Sequence, residues 1–166
     1  MDSDFPVKVT KIKLNTAEAF NKIKHWCAYQ ERSQWETKKK LRSFGLTLDE
    51  VNQIVAELIS ENFLNEERFA IAFAGGKFRM KGWGKNKIKT ELKAHQISDY
   101  SINKALVLLQ ERDYQEKLEQ ILEKKNKQLK ENNNLRKNQR LLQYAVSRGY
   151  DWQEVEKTLK KLNLWI

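Results

Sequence analysis

A single cysteine, a single proline and two histidines are all that 166 residues supply of these three types. One cysteine, Cys27, excludes an intramolecular disulfide and fits a reducing compartment. It stands in an apolar segment between Trp26 and Ala28, the setting of an inert core thiol. One proline and six glycines leave few places where a helix must break. No stretch is long and apolar enough to span a bilayer, and Met1 to Asn15 holds no apolar run of the signal type. A cytoplasmic location without a membrane partner is therefore expected. His25 and His95 lie far apart, with no cysteine or carboxylate at metal-ligand spacing around either. Gly75-Gly76 lacks the Lys-Ser or Lys-Thr of a phosphate loop. These absences point to a non-enzymatic protein that needs no cofactor and no metal.

What is present is a weak threefold repeat. The segment Leu41 to Val51 aligns with Leu92 to Ile102, 51 residues on, and with Ala145 to Val155, 53 residues further. Each copy reads as a helix end, a tight turn, an apolar residue, a capping residue and a new helix. The apolar residue is Leu46, Ile97 or Tyr150, of which Leu46 and Tyr150 sit at the position of a hydrophobic staple. The cap is Thr47, Ser98 or Asp151, whose side-chain oxygen can accept an orphan amide of the first turn. The helix after each cap carries one apolar stripe: Val51, Ile54, Val55, Leu58 and Ile59; Ile102, Ala105, Leu106 and Leu109; Val155, Leu159 and Leu162. A further helix precedes each pair, predicted at Thr16 to Gln30, Glu66 to Lys81 and Tyr114 to Asn132. Gly75 and Gly76 make the middle one the weak case, since each costs about 1 kcal/mol relative to Ala.

The expected fold is thus all-α, an elongated array of three tandem three-helix repeats over residues 16–64, 65–112 and 113–166, after an N-terminal tail over 1–15. A compact bundle with an accidental repeat is the competing reading. Phe69, Phe73, Ile88 and Leu92 are expected in the core by their spacing of four. His95, which replaces Phe44 in the repeat, is expected to be buried or to sit at a helix junction. Phe78 is expected in the core, and Trp83, between Gly82 and Gly84, as a plug where two helices meet.

The formal charge is +10, of which residues 1–60 hold +2 and residues 61–112 and 113–166 hold +4 each. Such a surplus suits a polyanionic partner; the plain alternative is a charge that only aids solubility. The densest cluster is Lys77, Arg79, Lys81, Lys85, Lys87, Lys89 and Lys93, with Glu91 the one acid among them. Lys85, Lys89 and Lys93 follow i, i+4, i+8 and share one helical face. Like charges stacked so repel by a few tenths of a kcal/mol per pair, a cost that a facing anion would offset. A second cluster, Lys124, Lys125, Lys127, Lys130, Arg136, Lys137 and Arg140, spans a polar break, with Glu116, Glu119, Glu123 and Glu131 near enough to pair with it.

The middle repeat carries a resemblance. Glu67-Arg68-Phe69-Ala70-Ile71-Ala72-Phe73 is followed by Lys77 and Arg79, Gly82-Trp83-Gly84, Lys87-Ile88-Lys89, Glu91-Leu92 and Ile97. The first repeat adds Arg32-Ser33, Lys40-Leu41, Gly45 and Asn62-Phe63-Leu64-Asn65. This pattern resembles the RecX family of recombination regulators over residues 16–164. It departs from that family at His95-Gln96, where a Lys-Gly pair is usual, and at Gly75-Gly76. The resemblance implies a regulator that binds the RecA recombinase filament and its DNA and damps strand exchange and ATP hydrolysis. The implied partners are RecA and single-stranded DNA, with duplex DNA as a second form, and the chain is expected to be a monomer. The expected filament- and DNA-binding residues are Lys77, Arg79, Lys81, Lys85, Lys87, Lys89, Lys93, Arg136, Lys137 and Arg140. A helical-repeat DNA-binding module acting without a recombinase is the alternative.

Overall fold

A computed structural model describes residues 14–165. Most of the expected N-terminal tail lies outside the described residues. Among them the chain is all-helical: α1 (Thr16–Tyr29), α2 (Gln34–Ser43), α3 (Leu48–Ser60), α4 (Glu66–Gly76), a π-helical turn (Lys77–Lys81), α5 (Lys85–Ala94), α6 (Asp99–Val107), α7 (Glu111–Gln128), α8 (Asn134–Ser147) and α9 (Trp152–Lys161). The nine α-helices form three tandem triplets. None is long and apolar enough to cross a membrane.

The described residues divide into two compact units, 14–65 and 66–165. In the first, α1 to α3 close over Ile23, Cys27, Leu41, Leu46, Val51, Ile54 and Leu58. Reciprocal capping boxes start all three helices: Asn15 with Glu18, Ser33 with Glu36, and Thr47 with Glu50. Burial pushes the Cys27 thiol above its ordinary pKa, which keeps it in the unreactive protonated form.

In the second unit, α4 to α9 share one core running from Phe69 through Ile88, Leu92, Tyr114, Leu118 and Leu141 to Leu159. Phe69, Ile88 and Leu92 are buried as expected, but Phe73 is only half-buried. Its ring lies 5.4 Å from His95, which also meets Phe69 at 5.4 Å, and Lys77 sits over its outer face. Phe73 is therefore a core edge, and His95 holds the junction. Phe78, buried, stacks on Tyr114 at 5.9 Å, and Tyr114 packs on Tyr150 at 5.0 Å. This aromatic row joins the second triplet to the third.

The repeated turn is closed alike in each triplet. Gly45, Gln96 and Gly149 take the left-handed conformation, and the Ile97 and Tyr150 amides reach back five residues to the Leu92 and Ala145 carbonyls. Gln96 is the departure from Gly noted in the sequence, and it adopts φ 59° all the same.

The cap of α6 shows how a missing residue is replaced. Thr47 and Asp151 are followed three residues on by glutamates, but Ser98 is followed by Ser101. The carboxylate comes instead from α4. Glu66 accepts the Ser98 amide at 3.2 Å, the Ser101 hydroxyl at 2.8 Å and the Ser98 hydroxyl. Partial burial works against its charge, yet the hydrogen bonds from Ser98 and Ser101 outweigh it and hold the carboxyl below its ordinary value. A depressed carboxylate pKa stabilises the fold above the unfolded value, and that contribution fades as pH falls through the acid range. Glu66→Gln is expected to cost about 1 kcal/mol near neutrality. Its deficit against wild type should shrink as pH falls below about 4.3, the ordinary glutamate value. Urea midpoints at pH 7 and pH 3.5 check this; a deficit that is the same at both would show that the charge on Glu66 contributes nothing.

The predicted 66–81 helix is continuous in direction but not in kind. It runs as an α-helix to Gly76 and then widens into the π-turn, which Gly82 ends at φ 61°. The two glycines differ. The Arg79 guanidinium lies against Gly75, where a Cβ would stand 2.8 Å from its Nη1, whereas a Cβ on Gly76 would meet nothing within 4 Å. Gly76 has helical φ and ψ. Gly76→Ala is therefore expected to raise stability by about 0.5–1 kcal/mol, because the unfolded chain loses freedom and nothing is displaced. A lower thermal midpoint would show that the π-turn needs glycine flexibility there.

Candidate functional site

The π-turn sets the geometry of the charged surface. Widening the helix by one residue per turn keeps Phe78 in the core while Arg79, Met80 and Lys81 stand in solvent. The turn is tied down from the third triplet, since Arg148 at the end of α8 donates to the Lys81 carbonyl. Close by, the Gly84 amide donates to the Arg148 carbonyl at 2.7 Å and the Asn86 amide to the Gly149 carbonyl at 3.0 Å. The two backbones cross so closely that a Cβ on Gly84 would lie 2.4 Å from the Gly149 carbonyl group, and one on Gly149 would lie 2.4 Å from Lys87. Gly84 and Gly149 are thus required by backbone approach, beyond their places at a helix start and a turn.

Two concavities share Met80, Lys81, Tyr144 and Arg148 in their linings. One, about 450 Å³, is lined by Met80, Lys81, Trp83, Lys87, Tyr144, Ser147 and Arg148. The other, about 440 Å³, lies between the π-turn and the helices α7 and α8 and takes in Arg79, Lys81, Lys117, Lys124, Tyr144 and Arg148. No carboxylate lines either of them. A smaller neighbour, about 240 Å³, has mixed charge, with Asp113 and Glu116 beside Arg79 and Lys117.

The aromatic rings here hold cations in place. Lys77 and Lys87 lie 5.0 and 4.8 Å from the centre of the Trp83 ring, and Lys125 and Arg148 lie 4.9 and 4.8 Å from that of Tyr144. Each such contact contributes about 0.5–1 kcal/mol at an exposed site. Of these four cations, Lys87 and Arg148 line the carboxylate-free concavities beside Arg79, Lys81, Lys117 and Lys124, a gathering of positive charge that repels itself and is relieved by an anion.

Of the ten residues singled out in the sequence, the fold brings four to this place: Lys81 and Lys87 on the first concavity, Arg79 and Lys81 on the second, and Lys77 behind Trp83. Trp83 is half-buried and faces the first concavity, so it is more than a plug. The Lys85–Lys89–Lys93 stripe exists, but its ends are engaged. Lys85 pairs with Glu111 at 3.2 Å and covers the Tyr114 ring, and Lys93 pairs with Asp99 at 3.3 Å. Lys89 is exposed between them. Arg136, Lys137 and Arg140 lie on the first half of α8 and line neither concavity; Arg140 reaches Glu131 at 3.5 Å. Met80, Lys117, Tyr144 and Arg148 also line the concavities, although no motif in the sequence marks them. Spacing alone points to two of them: Arg140, Tyr144 and Arg148 recur at intervals of four along α8 and so share a face.

Comparison with known proteins agrees with this architecture. The model of the RecX second three-helix domain matches residues 65–106, and that of the RecX third three-helix domain matches residues 112–159. The chain is 24% identical over 132 residues to "Regulatory protein RecX" of Haemophilus influenzae (strain PittGG), covering 80% of this chain and 86% of that one. It is 26% identical over 135 residues to the protein of the same name from Pelodictyon phaeoclathratiforme (strain DSM 5477 / BU-1), covering 81% and 82%. The crystal structure of RecX from Lactobacillus salivarius superposes with a TM-score of 0.79 at 22% identity over 90% of this chain and 97% of that chain. A second crystal structure, of regulatory protein RecX, gives 0.80 at 18% identity over 87% and 71%. At these identities the solved structures establish the helical-repeat fold. The two matched three-helix domains span more than half of the sequence, and the chain belongs to the RecX family of regulatory proteins.

Proposed function

We propose that this chain binds the RecA filament together with its DNA and inhibits RecA-driven strand exchange and ATP hydrolysis during recombination and repair. The observation that carries the nucleic-acid half of this reading is the pair of carboxylate-free concavities around Lys81, with their cations held by Trp83 and Tyr144. Such a surface takes phosphates without regard to sequence, because the attraction comes from charge and counterion release. The RecA half rests on family membership and on the relatives' name as regulatory proteins. The binding residues of this reading are Lys77, Arg79, Lys81 and Lys87, joined by Lys117, Lys124 and Arg148. Lys85, Lys89, Lys93, Arg136, Lys137 and Arg140 form an outer margin. The protein acts as a cytoplasmic monomer on single-stranded DNA within the filament.

The deciding experiment is RecA ATPase on single-stranded DNA kept in large excess over this protein, with the protein added in steps. A progressive fall is expected. Excess DNA prevents simple sequestration from mimicking regulation. If the protein binds the DNA while RecA turnover stays level, the chain is a DNA-binding module that acts without the recombinase.

A further inference from the structure

Met80 is among the most exposed large apolar residues of the described chain, 83% accessible, and it stands at the centre of the positive surface. Both concavities include it, together with Lys81, Tyr144 and Arg148. Its backbone is not a loose loop. It lies within the π-turn, which the left-handed Gly82 closes and Arg148 ties through the Lys81 carbonyl. The aromatic rings beside it, Trp83 and Tyr144, already carry cations. Both rings are half-buried, whereas the thioether side chain between them and the cations is exposed.

We propose that Met80 is a wedge that enters between neighbouring bases of single-stranded nucleic acid while the cations on its two sides hold the flanking phosphates. The inference rests on reading the two concavities as a phosphate-binding surface. Charge complementarity selects the occupant: an apolar tip flanked by lysines and arginines and no carboxylate fits a polymer that alternates apolar base faces with phosphates. Met is one of the side chains suited to prying base steps apart. The cost of separating bases is least where the strand is already unpaired, which favours single strands over duplex.

Met80 is exposed, so its replacement leaves the fold intact. The test compares binding of two oligonucleotides of equal length, one of ordinary bases and one with an abasic sugar–phosphate backbone. Wild type should prefer the first by roughly five- to tenfold, the low end of what a base contact contributes. Met80→Ala should erase that preference while leaving abasic binding unchanged, and Met80→Leu should keep it. A 2-aminopurine placed within an adenine run should brighten on binding wild type, as its neighbours are pushed away, and stay dim with Met80→Ala. Equal wild-type affinity for both oligonucleotides overturns the wedge and leaves the phosphate surface standing. Failure to bind either overturns both readings. If Met80→Ala instead weakens binding to RecA without DNA and leaves both oligonucleotides unaffected, Met80 is a protein contact and the wedge is wrong.

Discussion

Gly84→Ala is expected to destabilise residues 66–166 by about 3 kcal/mol, the upper end for overpacking a buried site. The added methyl would lie 2.4 Å from the Gly149 carbonyl carbon and oxygen and 2.5 Å from the Tyr150 amide nitrogen. All three are backbone atoms, which cannot swing aside as a side-chain end does. Relief requires the second and third triplets to separate locally. That would stretch the hydrogen bonds from Gly84 to Arg148 and from Asn86 to Gly149 and disturb the Tyr114–Tyr150 packing. Gly149→Ala should be at least as harmful, because Gly149 also holds φ 93°, where an alanine is strained. Gly76→Ala supplies the matched control: the same chemical change in the same unit, with open space around it. Urea unfolding followed by circular dichroism separates the outcomes. If Gly84→Ala and Gly76→Ala shift the midpoint alike, the crossing is less tight than described and the link between the triplets lies elsewhere.

The second large effect concerns charge. Lys81→Glu, Lys87→Glu and Lys124→Glu combined should weaken binding to single-stranded DNA about 100-fold at low salt. The size follows from about 1 kcal/mol for each lost charge contact in water and 1.4 kcal/mol per tenfold in affinity. The slope of log affinity against log salt should fall by about 2, since each lost contact removes about 0.7 on a single strand. Inhibition of RecA should fall with it. Reversing Lys85, Lys89 and Lys93 should do less, because two of the three already face carboxylates at 3.2 and 3.3 Å. Reversing Arg136, Lys137 and Arg140 should also do less, since none of them lines the concavities. The three variants differ by charge alone and keep the buried residues, so comparable helicity should accompany the differences. Should the Lys85, Lys89 and Lys93 variant prove the weakest binder, the stripe on α5 is the contact surface and the hollow beside it is not.

Caps, staples and stripes are local, and Thr47, Leu46 and Val51 announce themselves within a few residues of one another. Helix count and the triplet pattern were legible for that reason. The groove was not, because it forms where residues 79–87 meet residues 117–148, and nothing in either segment names the other. The partners of Lys85 and Lys93 were hidden in the same way, since Glu111 and Asp99 sit on different helices from α5. Proximity in sequence groups Lys85, Lys89 and Lys93 on one face, and tertiary pairing engages Lys85 and Lys93 with carboxylates. The π-turn was unreadable for a further reason. Gly75-Gly76 weakens an α-helix, but weakness alone does not say whether the chain will break, kink or widen. Widening wins here because it keeps Phe78 on Tyr114 and still lets Gly82 close the turn.

The glycine crossing has a consequence for how such a protein can be inherited in pieces. A repeat in the sequence suggests an interchangeable part, yet the second and third triplets are keyed to each other by two residues 65 positions apart, Gly84 and Gly149. Neither can gain a side chain while the other backbone remains where it is. A hybrid made by splicing two homologues near residue 112 would keep this junction only if each donor brought its own glycine. The boundary that the internal repeat marks is therefore not one at which parts can be exchanged freely.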